Sequence, residues 1–177
     1  MIYVCNLHDM PGHVEALGPS HLVSLVAPGE LPPTPPGIEI ERHLRLEIHD
    51  ITEPMDGHIH PDLEHVERLI EFLREWRHEE APLLIHCLAG ISRSMAAAMI
   101  ALVVKAGGRE TEAARRIREA APHAHPNRRM IALADRVLGC QGRLIAARDA
   151  MGPADLSAFG PLVHLPLLPV SERGFEA

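Results

Sequence analysis

Residues 82–106 constrain the fold more than any other stretch of the chain. Leu83, Leu84 and Ile85 form an apolar run without alternation, the pattern of a central strand covered on both faces. A turn of small residues follows, and from Met95 to Val104 every residue is apolar. Ten such residues fall well short of the roughly 20 needed to span a bilayer, so the stretch reads as a helix buried all round inside a protein. A buried strand feeding a buried helix requires a sheet with helices packed against it, which is an α/β architecture.

Other segments agree with that class. Short apolar runs at 2–5, 21–27 and 42–48 read as strands, the last alternating Leu44, Leu46 and Ile48. Between the second and third, residues 28–37 hold five prolines and two glycines and predict a loop. Leu63, Val66, Leu69, Ile70, Leu73 and Trp76 recur at helical spacing, predicting an amphipathic helix over 61–77 with Asp62 and Glu64 complementing its dipole. Helices are also expected at 94–106, 110–120 and 128–138, with a short one near 143–150. The expected fold is a central mixed sheet of four or five strands flanked by helices. It forms a single domain over 1–177, with a core at about 1–140 and an extension, 141–177, to which no role is assigned.

Bulk properties exclude several functions. A net charge of −7 opposes counterion-driven binding to nucleic acid or to an anionic membrane surface, so neither partner is expected. Residues 1–10 lack the basic-then-apolar pattern of a secretory leader, and three cysteines at 5, 87 and 140 suit no disulfide framework, so reduced thiols and a cytoplasmic location are expected. Lys105 is the only lysine, a bias consistent with a GC-rich bacterial genome and given no functional weight.

The chemistry lies in the turn, which reads His86-Cys87-Leu88-Ala89-Gly90-Ile91-Ser92-Arg93-Ser94. Between a strand and a helix, the amides of Leu88, Ala89, Gly90, Ile91, Ser92 and Arg93 can converge, and the helix adds roughly half a positive charge at its amino terminus. Such a cradle suits a phosphate dianion. The same field favours the thiolate of Cys87, which can attack phosphorus. A cation at a helix amino terminus is disfavoured by the dipole, so Arg93 suggests a compensating anion gripped by its planar fork. His86 can orient the loop, and Ser94 can donate to the sulfur as it leaves.

This run resembles the signature of the protein tyrosine phosphatase superfamily, most of all its dual-specificity branch and small bacterial members. Its chance expectation is on the order of 10⁻³ for a chain of this length. The resemblance extends in order and spacing over about 50–138. It implies hydrolysis of phosphate monoesters, of protein phosphotyrosine or a similar group, through a phosphocysteine on Cys87 and without metal or cofactor. It also implies an aspartate general acid on a loop ahead of the cysteine. Asp50, at the end of the third strand, is preferred. Asp56 is the alternative and Glu53 a distant third. The oligomeric state is left open.

Other features are weaker. His58, His60, His65, His123 and His125 have no metal-specific spacing. Asn127 resembles the Pro-Asn that precedes the last helix in dual-specificity phosphatases, and a helix cap explains it equally well. Arg115, Arg116, Arg118, Arg128 and Arg129, interleaved with glutamates, read as a solvated face. Cys5 and Cys140 have no assigned redox role. Two other readings compete: a phosphate-binding interaction module that does not catalyse, and a phosphatase of inositides or other small phosphoesters. The absence of Lys and Arg from residues 88–92 disfavours inositides.

Overall fold

In the computed structural model, which describes residues 1–77, 81–158, 160 and 162–170, a five-stranded sheet organises the chain. The strands are β1 (Ile2–Asn6), β2 (His21–Val26), β3 (His43–Glu47), β4 (Leu83–Cys87) and β5 (Leu162–Leu165). Their order across the sheet is β3-β2-β4-β1-β5; β5 runs antiparallel to β1 and the other neighbours are parallel. The helices are α1 (Met10–Leu17), α2 (Leu63–Glu75), α3 (Arg93–Ala106), α4 (Glu110–Ala120), α5 (Arg128–Val137) and α6 (Arg143–Asp149).

The period-two alternation of β4 divides its side chains between the two faces of the sheet. Leu83, Ile85 and Cys87 join the large core built around α3, while Leu84 joins a smaller cluster with Cys5, Met10, Val14 and Leu22 under α1. Helix α3 is buried on every side because α2, α4 and α5 surround it and the sheet lies beneath. Ile100, Leu102 and Val103 are fully inaccessible, each stabilising the fold by about 1.5–3 kcal/mol. An all-apolar sequence is what such a position requires.

Two elements lie outside the sequence expectations. Helix α1 begins Met10-Pro11-Gly12 and buries only Met10 and Val14, so two breakers and a thin apolar stripe hide it. Proline is tolerated there because a first-turn residue has no intrahelical N–H bond to lose. Strand β5 is four residues among prolines and forms only because β1 presents a free edge. Leu144, Ala147, Val163, Leu165 and Leu168 all belong to the main core, which therefore continues past residue 140.

The arginine group also differs from a solvated face. Arg115 pairs with Glu119 as expected, but Arg116 Nη1 donates to the carbonyls of Pro166 (2.9 Å) and Leu167 (3.0 Å). Arg118 Nε donates to Met151 O at 3.2 Å. These two guanidiniums fasten the carboxyl-terminal segment to α4.

Candidate active site

The sheet delivers Cys87 at the carboxyl end of β4, and α3 starts six residues later. The Cys87 sulfur is buried, accepts from the Gly90 amide at 3.2 Å and lies 3.2 Å from Ser94 Oγ. The Gly90 amide thus donates to the sulfur, and the Ser94 hydroxyl stands within hydrogen-bond reach of it.

Gly90 permits the tight turn. Its φ is +75°, and a Cβ there would stand 3.0 Å from the carbonyl carbon and oxygen of Cys5 and 3.2 Å from the Asn6 amide. Only glycine has neither the strain nor the clash. Leu7 N donates to Leu88 O at 3.2 Å, and His125 N donates to Ile91 O at 2.9 Å, so the loop backbone is tied on two sides.

At the start of α3, Ser92 is the capping residue, but its hydroxyl makes no cap. It donates instead to Asp50 Oδ1 at 2.6 Å. The first-turn amides of α3 thus lack the usual side-chain acceptor, and helix amino-terminal amides point outward along the axis, here toward the loop. Arg93 is buried; its Nη1 donates to Ile48 O at 2.6 Å, and its Nε, 4.0 Å from Asp50 Oδ2, has no hydrogen-bond partner. A cation held in this way beside the sulfur loop is ready to bind a dianion.

Asp50 is brought to this loop and Asp56 is not. Besides Ser92, Asp50 Oδ1 accepts from Asn127 Nδ2 at 2.8 Å. Asn127 serves twice, since its Oδ1 also accepts from the Met130 amide and caps α5. The cap and the resemblance are therefore both expressed in one residue. Asp56 and Glu53 sit on the exposed part of loop 49–60 and make no hydrogen bond to residues 87–94. Among the described residues, no group of three or more His, Cys, Asp or Glu is arranged to hold a metal ion. No helix among them is long and apolar enough to cross a membrane. Cys5 and Cys140 are free thiols, each pushed up to about 12, chiefly by burial.

A cleft of about 510 Å³ opens beside Asp50 and Ser92, walled by Ile51, Met55 and Ile91 and bordered by Arg148 of α6. Arg148 was not foreseen at the site. It is positioned by bonds to Pro126 O (2.9 Å) and His125 Nε2 (3.1 Å). Ser24 and His43 were also missed. Ser24 Oγ lies 2.6 Å from His86 Nε2, and the signal that could have found it is a lone serine within an otherwise apolar strand.

The model of the protein-tyrosine phosphatase family matches residues 43–131, just over half of the chain, and the chain belongs to that family. Solved structures with a similar fold include human DUSP28 (TM-score 0.60, 18% identity, covering 85% of this chain and 95% of that one). DUSP15 is similar with TM-score 0.62 and 21% identity over 90% of this chain and 93% of its own. The human tyrosine phosphatase-like serine/threonine/tyrosine-interacting protein is similar with TM-score 0.59 and 17% identity, over 79% and 92%. No curated protein matches the chain in sequence. The fold is that of the dual-specificity phosphatases, and the family makes the chain a phosphatase.

Proposed function

We propose that the protein hydrolyses phosphate monoesters, with a phosphorylated protein side chain such as phosphotyrosine as substrate, through a phosphocysteine on Cys87. One observation carries this reading: the Cys87 sulfur accepts from the Gly90 amide and meets the Ser94 hydroxyl at 3.2 Å each, while Arg93 and Asp50 flank the same loop 4.0 Å apart. Nucleophile, anion grip and acid thus converge on one loop.

In the first step Cys87 Sγ attacks phosphorus in line, forming the S–P bond as the ester P–O bond breaks. Asp50 gives its proton to the departing oxygen. Arg93 and the loop amides hold the equatorial oxygens, where charge accumulates. Water then attacks phosphorus and passes a proton to Asp50. The S–P bond breaks, phosphate leaves, and the Ser94 hydroxyl donates to the returning sulfur anion. His86 stays in the second layer and orients the loop.

The cleft walled by Ile51, Met55 and Ile91 suits an apolar or aromatic leaving group more than a polyanionic ring. Because α6 and β5 pack on the same core and Arg148 reaches the cleft, we read the whole chain as one phosphatase domain. Turnover of an aryl phosphate tests the reading. It should be blocked by vanadate and vanish in Cys87→Ser. Activity persisting in Cys87→Ser would overturn it, and tight phosphopeptide binding without turnover by the unmodified protein would establish the interaction-module alternative.

A further inference from the structure

On the face of the sheet opposite α3, four polar side chains form a continuous line that runs from the surface at Thr34 into the interior at His86. Thr34 Oγ1 lies 2.9 Å from His43 Nδ1, His43 Nε2 lies 2.7 Å from Ser24 Oγ, and Ser24 Oγ lies 2.6 Å from His86 Nε2. His86 precedes Cys87 in β4, and Ser24 is its registered neighbour in β2. His43 opens β3, and Thr34 belongs to the proline-rich loop between β2 and β3. Ser24, His43 and His86 are buried, and only Thr34 is partly exposed.

The line has a definite proton arrangement. Burial pushes both imidazoles down to about 4, with Arg45 lowering His43 further and His43 and Arg93 lowering His86. Each ring is therefore neutral near pH 7 and carries one N–H. Ser24 has one proton and stands between two ring nitrogens, so it donates to one and accepts from the other. If Ser24 donates to His86 Nε2, the His86 proton sits on Nδ1, His43 donates from Nε2 to Ser24, and Thr34 donates to His43 Nδ1. If every bond reverses, His86 Nδ1 becomes a bare lone pair.

The Cys87 backbone lies close enough to His86 to oppose the effect of burial on the ring, although Nδ1 makes no hydrogen bond of full geometry. An N–H on that side can be offered to the Cys87 backbone where the loop begins, and a lone pair cannot. The four groups thus have one arrangement that supports the loop and one that works against it.

We propose that Thr34, His43 and Ser24 are positioning residues that fix the His86 ring, with its proton on Nδ1, and thereby hold the Cys87 loop in its sulfur-binding form. This rests on the reading of Cys87 as nucleophile. It gives the proline-rich loop, about which the sequence says only that it is irregular, a direct connection to the site.

The test is the pH profile of Cys87 alkylation by iodoacetate, which needs no substrate, together with kcat and KM on an aryl phosphate. Thr34→Val is nearly isosteric and sits at the rim, so it keeps the fold, while Thr34→Ser retains the hydroxyl. Thr34→Val, Ser24→Ala and His43→Phe should each move the profile to higher pH by about one unit, which makes labelling roughly tenfold slower on its acid side. They should lower kcat with little change in KM, and Thr34→Ser should match wild type. Profiles and kcat unchanged in Thr34→Val and in whichever buried variants fold, with only a lower Tm, would overturn the proposal. A wild-type protein whose Cys87 labels like an ordinary thiol would instead remove the nucleophile reading itself.

Discussion

Residues 87–93 and residues 49–60 meet at Arg93 and Asp50, yet the two loops are held by different means. The first is enclosed: its sulfur is buried, Gly90 lies against the backbone of β1, and Leu7 and His125 bind its carbonyls. The second is mostly exposed and closes through His49, whose N–H donates to Ile59 O at 2.7 Å and whose Nδ1 accepts from the Ile59 amide at 3.0 Å. Beyond that it leans on Asn127, through Asp50 and more weakly through Ile51 O at 3.4 Å, and on Arg129. Backbone and close packing fix Cys87, whereas a few polar side chains fix Asp50. Damage to the first loop should therefore be all-or-none, and damage to the second graded.

The largest effect should come from Gly90→Ala. It combines an unfavourable φ, costing about 1–3 kcal/mol, with a 3.0 Å contact to backbone that cannot move aside. Turnover and vanadate binding should fall together to background; wild-type kinetics in Gly90→Ala would show the enclosure to be looser than the geometry implies. Asp50→Ala comes next, lowering kcat by about 10²–10⁴-fold on substrates with poor leaving groups and much less on activated aryl esters. Asp56→Ala on the same substrates should leave kcat unchanged, and the opposite ranking would reassign the acid.

Asn127→Ala should be intermediate. It removes the cap of α5, costing about 1 kcal/mol of stability in a denaturant melt, and it loosens Asp50. The kcat should fall by less than in Asp50→Ala, and Asn127→Asp should restore the cap and its stability but not kcat, because a carboxylate accepts from Met130 N and cannot donate to Asp50. Stability against pH sharpens the contrast from the other side. His43 and His86 sit at about 4 when folded and near the usual 6.5 when unfolded, so between those values the unfolded chain binds more protons. Stability should therefore fall as pH drops from about 6.5 toward 4, and His43→Phe should flatten that slope. An equal slope in wild type and His43→Phe would mean that His43 is not held neutral.

Much of this was legible in the residues themselves. The run at 82–106 specifies its strand, turn and helix because burial on all sides leaves no room for a polar residue, and Cys87, Gly90 and Arg93 carry chemistry at fixed spacing within one loop. Asp50 could be favoured over Asp56 because a strand end fixes its place. What escaped notice depends on contacts between distant segments. Ser24 and His43 look unremarkable in their own strands and acquire a role only through parallel pairing with β4. Arg148 reaches the cleft only because α6 folds back on α5. Strand β5 and helix α1 are too short to show a period, and tertiary pairing decides them.

Strand β5 also has a consequence for how the molecule behaves in company. The strand next to the one bearing Cys87 is β1, and without β5 its outer row of amides and carbonyls would be open to any extended peptide, including the same strand of another copy. Occupying that row with four residues of its own chain, fastened by Arg116 to Pro166 and Leu167, removes a template for self-association two strands from the site. The guanidinium of Arg116 thus helps move the open edge of the sheet one strand further from Cys87, onto a strand only four residues long.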